Sequence, residues 1–292
     1  MLLFIGSKVR NERMKLEFTK MEGCGNDYIY ISCFEQDIPN PNDLSVILSD
    51  RHFGIGGDGI VLICRSNTCD AKMRMFNLDG SEGKMCGNAI RCVAKYLYDN
   101  NIVRKDTMTI ETLSGIKTLK LKTEKGLVSF VTVDMGKAEL TPNKIPANLE
   151  GDRIVDRPIT INDKEYRITL VSMGNPHAVV FCDEVDNLNL AEIGPSFEHN
   201  DLFPERINTE FIKVIDQNTL QMRVWERGSG ETLACGTGAC GAACAAVLNG
   251  YCKKGEDIRV ILLGGELIIN YTDETVLMTG SCKKVFEGVI EL

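Results

Sequence analysis

Short runs in which apolar and polar side chains alternate recur along most of this chain, as in half-buried antiparallel strands. Residues 73–76, 118–122, 128–133 and 220–225 follow that pattern. Residues 28–31, 59–63, 167–171 and 178–181 are more continuously apolar, and 107–110, 259–262 and 276–278 complete the predicted strands. Helical periodicity is rarer. Residues 88–98 place apolar side chains at 89, 90, 93, 94 and 97, one face of a helix. Residues 237–248 are almost all Gly, Ala, Cys and Val, which suits a helix buried on every side, and 43–48 predict a third helix. Strands in the majority, with a few helices among them, predict an α+β fold.

Two stretches say the same thing half a chain apart. FNLDGSEGKMCGN at 76–88 and WERGSGETLACGT at 225–237 share their Glu, Cys and Gly when one slides along by 149 positions. The same offset pairs Asn26 with Asn175, which indicates an internal duplication. The expected architecture is two pseudo-symmetric domains of mixed and antiparallel strands, each wrapped around a central helix. The domains are drawn as 14–133 completed by 279–292, and 134–278, after an N-terminal tail over 1–13.

With 292 residues the chain has room for two such domains, each with its own core. A net charge of −8 argues against nucleic acid or an anionic membrane as a partner. No apolar run approaches the ~20 residues that span a bilayer. The twelve cysteines contain no C-x-x-C pair, and only His52, His177 and His199 accompany them, so no metal site is expected. Cys64, Cys240 and Cys244 sit among small or apolar residues and read as core. The chain reads as cytoplasmic, with reduced thiols.

Cys86 and Cys235, each followed by Gly, stand where a strand and loop feed a predicted helix. A helix start offers unpaired N–H groups and the positive end of the macrodipole, so a lowered thiol pKa is expected there. The same groups, at Gly87, Asn88, Gly236 and Thr237, can cradle a substrate carboxylate. Two like thiols on opposite sides of one carbon are the equipment for taking a proton from one face and returning one to the other. That is racemisation or epimerisation without a cofactor. His177 and Glu226 are candidates to set the charge on the thiols. Asn26, Asn77, Asn175 and Asn208, with Arg227, are candidates to line the pocket. GIGGDG at 54–59 and GTGACG at 236–241 match a dinucleotide fingerprint in letters only, because neither joins a strand to a helix as that unit requires.

These residues resemble the diaminopimelate epimerase family. The resemblance is carried by GCGND at 23–27, GGDG at 56–59, FN at 76–77, DGS at 79–81 and MCGN at 85–88. It continues through GNPH at 174–177, RINTE at 206–210, ERG at 226–228 and ACGTG at 234–238. It implies a PLP-independent, metal-free isomerase that interconverts LL- and meso-diaminopimelate in lysine and peptidoglycan precursor synthesis, usually as a homodimer. Its partner would be a small amino-acid substrate. Carried over by motif, Cys86 and Cys235 are the acid/base pair, and His177 and Glu226 assist. Gly87, Asn88, Gly236 and Thr237 hold the reacting carboxylate. Asn26, Asn77, Asn175, Asn208, Glu226 and Arg227 read the rest of the substrate. Some members carry glutamine where Gly59 stands, so that contact is not expected here. Another racemase of the histidine or proline type, a non-catalytic amino-acid binder and a thiol sensor remain alternatives.

Overall fold

In a computed structural model, residues 15–292 are described; the tail expected over 1–13 lies outside them. Strands β1 (Lys15–Gly23) and β2 (Asn26–Ser32) form a hairpin whose two-residue turn, Cys24 and Gly25, has positive φ at both positions. Helix α1 (Pro41–Ser49) precedes β3 (Gly59–Cys64), β4 (Ala71–Asn77) and the short β5 (Glu82–Gly83). Helix α2 (Gly87–Asp99) follows, then β6 (Thr107–Thr112), β7 (Gly115–Glu124) and β8 (Leu127–Asp134). After β9 (Arg157–Ile161) the order repeats: β10 (Lys164–Ser172), β11 (Pro176–Phe181) and α3 (Leu190–Glu198). Next come β12 (Asn208–Asp216), β13 (Thr219–Glu226), β14 (Gly230–Glu231) and α4 (Gly236–Leu248). Strands β15 (Asp257–Leu262), β16 (Gly265–Tyr271), β17 (Val276–Ser281) and β18 (Lys283–Glu291) end the chain.

The 149-residue offset carries β1 onto β10, α1 onto α3 and α2 onto α4 at both ends, and the other strands to within a few residues. Pairing repeats too. β2 runs parallel to β3 as β11 does to β12, and β4 parallel to β6 as β13 does to β15. Antiparallel β8 and β17 join the halves. The outer neighbour of β10 is β9, whereas β1 receives β18 from the far end of the chain.

Both central helices are covered as their sequences require. Helix α2 buries 87–94 and Leu97 and keeps Tyr98 and Asp99 toward the surface. In α4 every residue from Gly238 to Ala246 is buried, which only small side chains permit so close to surrounding strands. The outer helices α1 and α3 seal separate apolar clusters, around Leu48 and Phe76 in one half and Phe197 and Phe211 in the other. Helix α3 was not expected from local pattern, since Gly194 and Pro195 interrupt it. No helix among the described residues is long and apolar enough to cross a membrane.

Candidate active site

The ends of the repeated strands converge on two helix starts. Cys86 caps α2 from an extended backbone (φ −130°, ψ 122°), and its sulfur accepts the Ala89 N–H at 3.5 Å. Cys235 caps α4 in the same way (φ −116°, ψ 109°), accepting the Gly238 N–H at 3.4 Å. Both sulfurs therefore occupy the position that a serine or aspartate cap usually fills. The helix starts lie against one another. A Cβ on Gly87 would stand 2.5 Å from Met278 Cε, and one on Gly236 would stand 3.1 Å from Met278 Sδ and 3.6 Å from Asn88 Oδ1. Met278 of β17 thus wedges between the two turns, while the Asn88 side chain of one reaches the first residue of the other.

Each thiol has an amide beside it. The Cys86 S–H donates to Asn26 Oδ1 at 3.3 Å, and Asn26 Nδ2 donates to Asp58 at 2.6 Å. On the other side Asn175 Nδ2 donates to Thr237 Oγ1 at 3.2 Å, and that hydroxyl lies 3.5 Å from the Cys235 sulfur. His177 is fully buried, with Nε2 3.1 Å from Asn175 Oδ1 and Nδ1 2.7 Å from Glu210 Oε1. Glu226, at the end of β13, takes hydrogen bonds from the Thr232 hydroxyl and the Cys235 thiol.

The other candidates stand further out. The Asn208 amide is used internally, donating to Pro176 O at 2.7 Å and accepting from Arg227 N at 2.9 Å. The Arg227 side chain is exposed and donates to the Glu205 carbonyl, and Asn77 donates to Ser81 Oγ at 3.0 Å. Glu226 and Arg227 do not pair with each other. Among the described residues no group of His, Cys, Asp and Glu is arranged to hold a metal ion.

The expected lowering of the thiol pKa is overturned. Burial pushes Cys86 up, against the pull of the Ala89 and Asn88 N–H groups and Arg91. Cys235 is pushed well above the usual thiol range by burial and by the negative charges of Glu226 and Glu210; Thr237 and the Gly238 N–H oppose this. Burial also raises Glu226. Two capping N–H groups do not match the loss of water around a charged sulfur.

Two residues near the site were missing from the sequence candidates. Glu210 is fully buried two positions after Asn208, on the same face of β12, but with Asn208, Thr209 and Lys213 in the same strand nothing local marked it as buried. Arg91 heads the largest fully buried side chains among the described residues, on a helix whose other buried positions are apolar or small apart from Asn88.

The fold recurs in distant solved structures. A phenazine biosynthesis protein of the PhzF family from Bacillus anthracis matches with a TM-score of 0.70 at 15% identity, over 96% of this chain and all of that one. A hydroxyproline epimerase from Agrobacterium vitis matches with a TM-score of 0.68 at 16% identity, over 97% of this chain and 94% of its own. The architecture is therefore a pseudo-symmetric α+β fold that this chain shares with both proteins. Within it, the diaminopimelate epimerase family model matches residues 18–141 and 169–285. The diaminopimelate epimerase of Acetivibrio thermocellus is 53% identical over 95% of this chain and 99% of its own length. That of Desulfovibrio desulfuricans is 55% identical over 94% and 97%, and that of Methanococcus maripaludis 53% over 95% and 100%. The chain belongs to the diaminopimelate epimerase family and is an isomerase.

Proposed function

We propose that this chain interconverts LL- and meso-2,6-diaminopimelate by a two-base reaction, with Cys86 and Cys235 on opposite faces of the reacting carbon. The observation that carries this reading is the meeting of two cysteine-capped helix starts over Met278 and Asn88. One thiolate removes the Cα proton while the other thiol delivers its own proton to the opposite face. The pair ends with its charge exchanged, and no cofactor or metal enters the balance. Because Cα–H is a very weak acid, a thiolate made more basic by burial is the better-matched base. N–H groups at Gly87, Asn88, Gly236 and Thr237 hold the carboxylate and absorb charge from the carbanion. Glu226 exchanges a proton with Cys235, and His177 holds Asn175 and, through it, Thr237. Asn26, Asn77, Asn208 and Arg227 position the distal part of the substrate.

The two halves are proposed as domains, 14–133 with 279–292 and 134–278, that close over the substrate and exclude water. A homodimer is proposed too, supported by exposed Val285, Phe286 and Val289 on β18. A cytoplasmic location is supported by twelve free thiols.

Proton exchange in D2O tests the reading. Incubated with LL-diaminopimelate, the protein should label Cα as the meso isomer forms. Labelling of histidine or proline instead would assign another racemase activity. No labelling of any amino acid would leave a binder or a thiol sensor.

A further inference from the structure

The two halves are alike in backbone but not in charge. Under the 149-residue offset, His177 falls on Tyr28, Glu210 on Val61, Glu226 on Asn77, and Cys240 on Arg91. Cys235 therefore has two carboxylates beside it, whereas the half that carries Cys86 has a guanidinium.

Arg91 is held in an unusual way. Its Nε donates to Ser281 O at 3.2 Å, and NH1 donates to Gly87 O at 3.1 Å and Asn88 Oδ1 at 3.0 Å. NH2 donates to Cys24 Sγ at 3.6 Å. Every one of these acceptors is neutral. Among the described residues no carboxylate forms an ion pair with it, and the side chain is 0% exposed. The slot is cut to fit: a Cβ on Gly280 would stand 2.8 Å from the guanidinium carbon, and one on Gly23 3.1 Å from NH2. A guanidinium is a permanent cation, and burying one without an opposite charge is costly unless an anion completes the site. The anions that reach this turn of α2 during the proposed reaction are the Cys86 thiolate and the substrate carboxylate.

We propose that Arg91 is a positioning residue that holds positive charge beneath the first turn of α2, so that Cys86 ionises before Cys235 and the carboxylate binds more tightly. The remaining ionisable groups facing this corner are Tyr28 and Tyr30 of β2, Glu226 of β13 and Glu22 of β1. Thiols Cys24, Cys92, Cys240 and Cys282 surround the guanidinium itself. The other cations nearby, Lys283 and Lys95, act on Cys24 and Cys282, whereas the cation acting on Cys86 is Arg91. Through NH1, Arg91 also fixes the Asn88 side chain, which lies against Gly236.

The test follows alkylation of each cysteine by iodoacetamide across about pH 5 to 10, read peptide by peptide in the full-length protein. In the wild type, Cys86 should show a lower pH midpoint than Cys235. Arg91→Met and the polar but uncharged Arg91→Gln should each raise the Cys86 midpoint by about one unit or more. That slows its alkylation at neutral pH about tenfold, while Cys235 moves less. Both variants should also raise KM for diaminopimelate about tenfold. A folded Gln or Met variant with an unshifted Cys86 midpoint overturns the proposal. So does a wild-type protein in which Cys86 titrates at or above Cys235, and that arm needs no variant to fold. The KM arm rests on the function proposed above. Alkylation needs no substrate, so failure to epimerise diaminopimelate would sink that function and leave the charge assignment to the thiol data.

Discussion

Cys86 and Cys235 must each serve as base in one direction and acid in the other, and burial fits them for both by making the thiol easy to keep and the thiolate strongly basic. Replacing one should remove chemistry from one face only. Cys86→Ala and Cys235→Ala should each lower epimerisation at least about a thousandfold. Each should still eliminate HF from a β-fluorinated analogue of one stereochemistry, the two variants preferring opposite isomers, because elimination needs a single base. Fluoride release measures this, and a shared preference would place both thiols on the same face. Glu226 gives a pH signature of its own. Its carboxyl is raised by burial, so the fold favours the protonated form. Its contribution to stability is intact below the usual carboxylate range and is lost as pH rises through the raised value. Glu226→Gln cannot ionise. It should match the wild type near pH 4 and melt a few degrees higher near pH 8, a gain on the order of 1 kcal/mol. A gap that widens toward acid instead would mean the shift has the opposite sign.

Helix α4 shows why its composition is so small. Gly238 and Gly241 sit one turn apart on the face that meets Glu210 and His177. A Cβ at 238 would lie 2.5 Å from Glu210 Oε1 and 3.2 Å from the Cys235 sulfur, whereas one at 241 would meet His177 Cβ at an ordinary 3.5 Å. Alanine in place of a helical glycine normally adds about 1 kcal/mol of stability. Gly241→Ala should therefore be neutral or stabilising. At 238 overpacking of about 1–3 kcal/mol exceeds that gain, so Gly238→Ala should melt lower and lose at least tenfold in kcat. Thermal melts and initial rates check both, and equal melting points for the two variants would remove the argument. The same reasoning explains α3. The Trp225 ring lies where a Cβ on Gly194 would be, at 2.3 Å, and its Nε1 donates to Glu198 Oε2 at 2.7 Å. Tertiary packing demanded the glycine that hid this helix from periodicity. The offset would still have found it, since it lands α1 on α3.

At the scale of the molecule, β18 closes the first half by pairing with β1, and its outer side chains remain open. Phe286 packs edge-on against Phe18 with centroids 5.9 Å apart yet stays 45% exposed, beside Val285 and Val289. If this face is the dimer surface proposed above, Phe286→Asp should convert a dimer to a monomer of unchanged secondary structure. Sedimentation would show it, and a variant that remains dimeric would move the interface elsewhere.

The α+β class, the two central helices and the repeat were legible before any coordinates. These rest on local periodicity and on identities preserved at a fixed spacing. Cys86 and Cys235 were legible too, because a Cys-Gly turn repeated in matched context needs no knowledge of neighbours. Charge at the site was decided only by tertiary structure. A helix start by itself predicts a lowered thiol pKa; the surrounding strands exclude water, and desolvation outweighs two N–H groups. Arg91 and Glu210 were likewise invisible, because a charged residue in a helix or strand reads as surface until its long-range neighbours are known. The strands covering it, contributed from residues far along the chain, turn each of these charges into part of the site.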